Sequence, residues 1–141
     1  MECSDTVGKS LAQDLCKKLE HFADAKSIPS NLVFSMDHAL AEYLQNLVDH
    51  SNAHHAHVAF EYDDASLRVI IKDDGKPYDI LAHKPVDLSI PFAEREIGGL
   101  GIHMIRKMMD HVNYESSNGW NTAVFCKHAR SSLQVNRSPI L

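Results

Sequence analysis

"HVAFEYDDASLRVIIKDDG", residues 57–75, alternates apolar and polar residues on both sides of a short polar break. Val58, Phe60 and Tyr62 recur every second residue, and Leu67, Val69 and Ile71 do the same after "DDA". Two period-two runs joined by so short a break predict an antiparallel hairpin. Upstream the period is helical. Leu11, Leu15, Leu19 and Phe22 mark an amphipathic helix over 9–25. After "SIPSN", where Ser30 or Asn31 can cap, Leu32, Val33, Met36, Leu40, Tyr43, Leu44 and Leu47 share one face of a long helix ending near His50.

Downstream, residues 74–98 show no period and hold Pro77, Pro85 and Pro91, which suits a lid or binding loop. Ile102, Ile105, Met108 or Met109 and Val112 then fit a third helix. Strands at about 112–117 and 120–127 flank Asn118-Gly119, a strong hairpin turn signal. The last residues, 129–141, are mostly polar and read as a loose tail after a domain at 1–128. Tightly connected strands pair antiparallel, and helices with one apolar stripe must lie on one face of the sheet. The expected fold is therefore a two-layer α/β sandwich: a mostly antiparallel mixed sheet with about three helices on one face.

Composition narrows the function. The 141 residues suffice for one domain with a real core, and 44% hydrophobic with 23% charged residues is ordinary for a globular protein. A net charge of −5 argues against direct nucleic-acid binding. No apolar run approaches the roughly 20 residues that span a bilayer, and "MECSDTVGKS" lacks a basic-then-apolar leader. Cys3, Cys16 and Cys126 form no CxxC pair and read as free thiols in a reducing cytoplasm.

Three places could carry chemistry. Glu42 and Asn46 sit one helical turn apart, off the Leu40/Leu44/Leu47 stripe. They are either a solvated face or a carboxylate general base beside an amide oxygen suited to Mg²⁺. Asp73 ends an apolar strand, with Gly75 two residues on. It is either part of a strand-end turn or an acceptor for an exocyclic amine such as that of adenine. Gly98, Gly99 and Gly101 open the third helix. They form either a hinge or an anion site, where free N–H groups and the positive helix end meet a phosphate. Neither a Walker A motif nor a Rossmann fingerprint is present. The histidines of "HSNAHHAH", His50, His54, His55 and His57, straddle a helix end and a strand start, so their side chains diverge and a metal site is not expected.

Together these segments resemble the GHKL (Bergerat-fold) ATPase family, and within it the anti-sigma-factor type of serine/threonine protein kinase. "ALAEYLQNLVDHS" is similar to the helix motif with its E-x-x-x-N pair, "DDGKPYDI" to the Asp-x-Gly motif, "REIGGLGIHMIRKMMDHVNYE" to the glycine motif and its helix, and "NGWNTAVF" to the closing hairpin. The resemblance covers about residues 9–127 and is most specific from Asp73 to Tyr114. It implies ATP and Mg²⁺ as ligands. Asp73 would bind the adenine amine, with Thr122 nearby; Asn46 would coordinate Mg²⁺; Glu42 would take the proton of a serine or threonine hydroxyl. The 76–97 loop would be the ATP lid, Gly99, Leu100 and Gly101 would offer amides to the phosphates, and Arg95 could reach one of them.

The implied partners are a STAS-type anti-anti-sigma protein, a sigma factor and a second copy of the chain. Pro77 stands where many members have a second glycine, and Leu47 where a small residue is common. The amino terminus shows no first strand, although members of this type commonly carry one and often use that end in homodimers. Two other readings compete: a nucleotide-responsive binding module without phosphotransfer, and the ATP-binding half of a histidine kinase. The latter needs a phosphoacceptor histidine on a preceding dimerisation helix. Only about 30 residues precede the long helix here, and His21 lies in a short one.

Overall fold

The computed structural model describes residues 1–78, 80, 81, 89 and 99–129. The chain runs β1 (Glu2–Thr6), α1 (Leu11–Lys26), α2 (Ser30–Asn46), a π-helical turn (Leu47–Ser51), β2 (His55–Asp63), β3 (Ser66–Asp73), α3 (Gly99–Met108), β4 (His111–Ser117) and β5 (Trp120–His128). The strands form one sheet in the order β1-β2-β3-β5-β4, and every neighbouring pair is antiparallel.

Local chemistry sets these boundaries. Leu11, Leu15, Leu19, Phe22 and Ala23 make one buried stripe on α1, which closes at Ser27 in the left-handed region, φ 53°. Neither Ser30 nor Asn31 caps α2. Pro29 does: its fixed φ suits a helix start, and its carbonyl accepts the Leu32 and Val33 N–H groups. Both hairpins turn through two residues of positive φ, Asp64-Ala65 and Asn118-Gly119, whose twist matches that of the strands they join.

α2 lies between α1 and α3. Its buried Leu32, Met36, Leu40, Tyr43 and Leu44 meet the inner face of the sheet, made by Val58, Phe60, Leu67, Val69, Ile71, Ala123 and Phe125. Tyr43 packs edge-on to Phe125 at 5.3 Å, and Phe22 packs on Phe60 at 5.9 Å. The two-layer sandwich expected from the hairpins is the fold observed, with a sheet that is antiparallel throughout the described strands rather than mixed.

One element departs from the expectation. The segment "ECSDT" is a strand, β1, paired with β2 from Glu2↔Ala59 to Thr6↔His55. An edge strand is held by backbone hydrogen bonds along one side and needs little apolar patterning. Cys3 supplies what there is, its thiol reaching the Val58 carbonyl at 3.6 Å. Cys16 and Cys126 are free thiols.

Candidate nucleotide site

Four polar residues are buried among the described residues: Asn46, Ser51, Asp73 and Asn121. All belong to one end of the layer interface, where α2 runs out and β3 ends. There α2 widens into the π-helical turn, a distortion that recurs at functional sites. Ser51 holds that turn by donating to the Leu47 carbonyl at 2.7 Å, and its own carbonyl accepts the Lys76 N–H at 2.7 Å. Gly75 passes so close that a Cβ would lie 2.6 Å from the Ser51 carbonyl and 2.9 Å from Ala53 Cβ. Glycine is therefore required at that step of the chain.

The two adjacent aspartates of "KDDG" do opposite work. Asp74 is saturated: one oxygen accepts the His54 and His55 N–H groups at 2.8 and 3.0 Å, and the other faces His55 Nδ1 at 3.1 Å. These bonds, the His55 N–H first, hold its carboxyl down at about 2. Asp73 points inward and is 1% exposed. Its Oδ1 accepts the Gly75 N–H at 2.9 Å and the Asn121 amide at 3.1 Å, while its buried Oδ2 has no partner among the described residues. Burial pushes its pKa up; the Asn121 and Gly75 bonds oppose that, and the Asp74 charge adds to it. A second buried atom without a partner, Asn46 Nδ2, lies on the last turn of α2.

Glu42, one turn before Asn46, is half-buried. It lies against α3 so tightly that a Cβ on Gly101 would overlap its carboxylate. On its outer side Glu42 lines a cavity of about 350 Å³ between α2 and α3, with His38, Gln45, Met104 and Met108. Gly99, Leu100 and Gly101 form the first turn of α3, where helix N–H groups lack intrahelical acceptors. Gly98 and Arg95 lie outside the described residues, as does most of the 76–97 loop.

Thr122 is not beside Asp73. In register, Asp73 faces Asn121 and Lys72 faces Thr122. Successive strand residues point to opposite faces, so Thr122 sits on the outer face, lining a shallow cavity with Lys72, Glu115 and Trp120. Asn121 holds the inner position. Counting back in twos from buried Phe125 and Ala123 reaches Asn121, so the signal was present in the sequence.

The histidines divide as their backbone directs. His50 belongs to the π-helical turn, its ring 6.5 Å from that of Tyr78 at 27°. His55 pairs with Asp74, and His57 shares a hydrogen bond with Ser4 on β1.

The profile of the histidine kinase-like ATPase domain family matches residues 7–127. The serine/threonine-protein kinase BtrW of Bordetella bronchiseptica is 26% identical over 128 residues, covering 88% of this chain and 90% of that protein. The serine-protein kinase RsbW of Halalkalibacterium halodurans is 30% identical over 87 residues, 57% of this chain and 54% of that one. Among solved structures, the SiaB–SiaC complex of Pseudomonas aeruginosa contains a chain that superposes with a TM-score of 0.66 at 14% identity, over 89% of this chain and 88% of that one. The RsbU and RsbW domains of a Mycobacterium tuberculosis protein superpose with a TM-score of 0.60 at 13% identity, over 91% of this chain and 32% of that one. At such identities these two structures speak for the fold.

Proposed function

Since the chain belongs to the histidine kinase-like ATPase domain family, we propose that it binds ATP with Mg²⁺ at the polar end of the layer interface and transfers the γ-phosphoryl group to a serine or threonine of a partner protein. One observation carries this reading: Asp73 Oδ2 and Asn46 Nδ2 are buried there without partners. An unsatisfied buried polar atom costs on the order of 1–3 kcal/mol, and a ligand that completes both atoms removes that cost. Relatives named as serine/threonine- and serine-protein kinases support the reaction.

The residues suit the ligands. Asp73 Oδ2 is an acceptor for the exocyclic amine of adenine. Asn46 offers an amide oxygen of the kind Mg²⁺ prefers, its unpartnered Nδ2 is a donor for a phosphate oxygen, and the first-turn amides of Gly99, Leu100 and Gly101 face charge of the right sign. Gly98 and Arg95 complete the phosphate contacts in this reading, the 76–97 loop closes over the nucleotide, and 1–128 forms the ATPase domain ahead of a separate tail. When bound, Mg²⁺ neutralises phosphate charge. Glu42 accepts the hydroxyl proton as the new O–P bond forms and the bond from the γ-phosphorus to the bridging oxygen breaks, releasing ADP. The cavity beside Glu42 gives the hydroxyl its approach. The family resemblance supports a STAS-type anti-anti-sigma protein as the partner, with a sigma factor as a second ligand. It also supports a homodimer, for which β1 supplies the amino-terminal strand this kinase type commonly carries.

Glu42→Gln separates chemistry from binding. We expect ATP–Mg²⁺ affinity within about three-fold of wild type by calorimetry, and transfer to the partner reduced by about 10²–10⁴-fold. The partner is captured from the native cell in the presence of ATP, and its phosphosite is mapped. Wild-type protein that binds ATP yet labels no partner would be a nucleotide-responsive binding module. A melting point that ignores millimolar ATP–Mg²⁺ would refute nucleotide binding itself.

A further inference from the structure

Ser116, Asn121 and Asp73 form a row across the inner end of the sheet, each in register with the next. The Ser116 hydroxyl donates to Asn121 Oδ1 at 2.7 Å. Asn121 Nδ2 then donates both its protons, one to Asp73 Oδ1 at 3.1 Å and one to the Gly75 carbonyl at 2.8 Å. Turning this amide over would set its oxygen against a carboxylate and a carbonyl, three acceptors face to face. The carboxylate and the carbonyl therefore fix the orientation, in a side chain 1% exposed, and the Ser116 hydroxyl completes it by donating to the amide oxygen. No N–H of Asn121 is left for a ligand. The row ends in Asp73 Oδ2, a bare acceptor.

We propose that Asn121, set by Ser116, is a positioning residue for base selection. It pins one oxygen of Asp73, so that the pocket meets the base edge with an acceptor only and takes a 6-amino purine over a 6-oxo purine. The inference rests on the nucleotide reading above. A 6-oxo group needs a donor, and the donors around Asp73 are spent: the Gly75 N–H on Asp73, both Asn121 protons as described, and the Lys76 N–H on Ser51; the unpartnered Asn46 Nδ2 lies across the interface on α2, on the phosphate side in the nucleotide reading. Removing the Asn121 amide has a second consequence. It is the first of the bonds opposing the upward push of burial on Asp73. Without it a protonated Asp73 can turn donor and accept a 6-oxo base. The other groups acting on Asp73 are the Gly75 N–H, Asp74 along the chain and Tyr43 from α2, whose hydroxyl Asp73 and Tyr114 of β4 both influence.

The test measures ATP and GTP affinities of wild type, Asn121→Ala, Asn121→Thr and Ser116→Ala across pH, with melting points alongside. Asn121→Ala should lose about 10-fold or more in the ATP:GTP affinity ratio, and its ATP binding should fail at a higher pH than wild type as pH is lowered. Asn121→Thr, which restores a donor, should recover part of the ratio. Ser116→Ala should shift it in the same direction by less, and it carries the test if Asn121→Ala does not fold. An unchanged ratio and pH profile in folded variants, or an equal loss of both nucleotides, overturns the proposal. Wild type binding neither nucleotide removes the nucleotide reading and this inference with it, a distinct result.

Discussion

The space between sheet and helices has two unlike ends. Around α1 it is filled by Leu15, Leu19, Phe22 and Phe60, all apolar and buried. Around the end of α2 it holds Asn46, Ser51, Asp73 and Asn121. A cavity of about 630 Å³, larger than the one beside Glu42, opens at the far end of β3 around Met1, Lys26, Asp64 and Arg68, away from the four buried polar residues. Size therefore does not locate the site; the cluster of buried polar side chains does, and two of its atoms have no hydrogen-bond partner among the described residues. An interior that could have been apolar throughout is polar where α2 widens, β3 stops and a glycine is forced.

The contrast breaks if stability and binding cannot be separated. Phe60→Ala, at the apolar end, should cost about 3–5 kcal/mol of folding stability while leaving the nucleotide affinity of the folded fraction near wild type. Asp73→Asn, at the polar end, should do the reverse. The shape is kept and a buried charge removed, so the melting point should hold or rise, while ATP affinity falls about 10- to 100-fold. Denaturant melts with calorimetry decide the pair. If Phe60→Ala weakens binding as much as Asp73→Asn does, the two ends are one cooperative unit and the distinction drawn here is wrong. Gly101→Ala sharpens it further, because a Cβ there overlaps the Glu42 carboxylate. The half-buried Glu42 side chain must swing aside, at small cost in stability, with transfer lost beyond what stability explains. Gly8→Ala, where a Cβ meets nothing within 4 Å, should do neither.

How much of this was legible in the sequence follows from what carries each feature. The hairpins, the three helices and the side of each that packs inward are set by periodicity, and periodicity is written in the residues. The Glu42/Asn46 pair and Asp73 stood out because polar types interrupted apolar patterns. β1 was not legible, since an edge strand held by its backbone leaves little trace in side-chain order. Thr122 was misplaced by one residue, and in a strand one residue is a change of face. The resemblance drew attention to the threonine; the period, counted from Phe125, pointed to Asn121. Pro29 took the cap because a carbonyl and a fixed φ were already in place, and a hydroxyl search overlooks both. That Oδ2 of Asp73 is spare while both oxygens of Asp74 are used depends on which N–H groups β2 and β5 bring near, and no local pattern encodes that.

The smallest effects concern pH, and two carboxylates should show opposite signs. Asp74 is held down at about 2 from an ordinary value of 3.8, so its contribution is present above about pH 4 and is lost as pH falls through about 2. Asp37, on the α2 face toward Cys16, is pushed up to about 6 from the same ordinary value, first by burial and then by the Glu20 charge; the Cys16 thiol and, more weakly, His38 oppose this. One of its oxygens is buried with no hydrogen-bond partner among the described residues. Its folded pKa is raised, so its contribution is full below about pH 4 and is lost as pH rises through about 6. At neutral pH Asp37 is thus a charge kept at a cost, and, after burial, it helps to raise the Cys16 thiol to about 12. Asp37→Asn should raise the melting point at about pH 7.5, with the gain fading by about pH 4; Asp74→Ala should lower it at neutral pH, with the loss fading only in strong acid. Both side chains are partly open to water, so shifts of a few degrees are the scale expected. Were Asp37→Asn to destabilise at neutral pH, its unpaired oxygen would be engaged in solution, and Asn46 Nδ2 and Asp73 Oδ2 would stand as the interior's unfinished bonds, both at the nucleotide end.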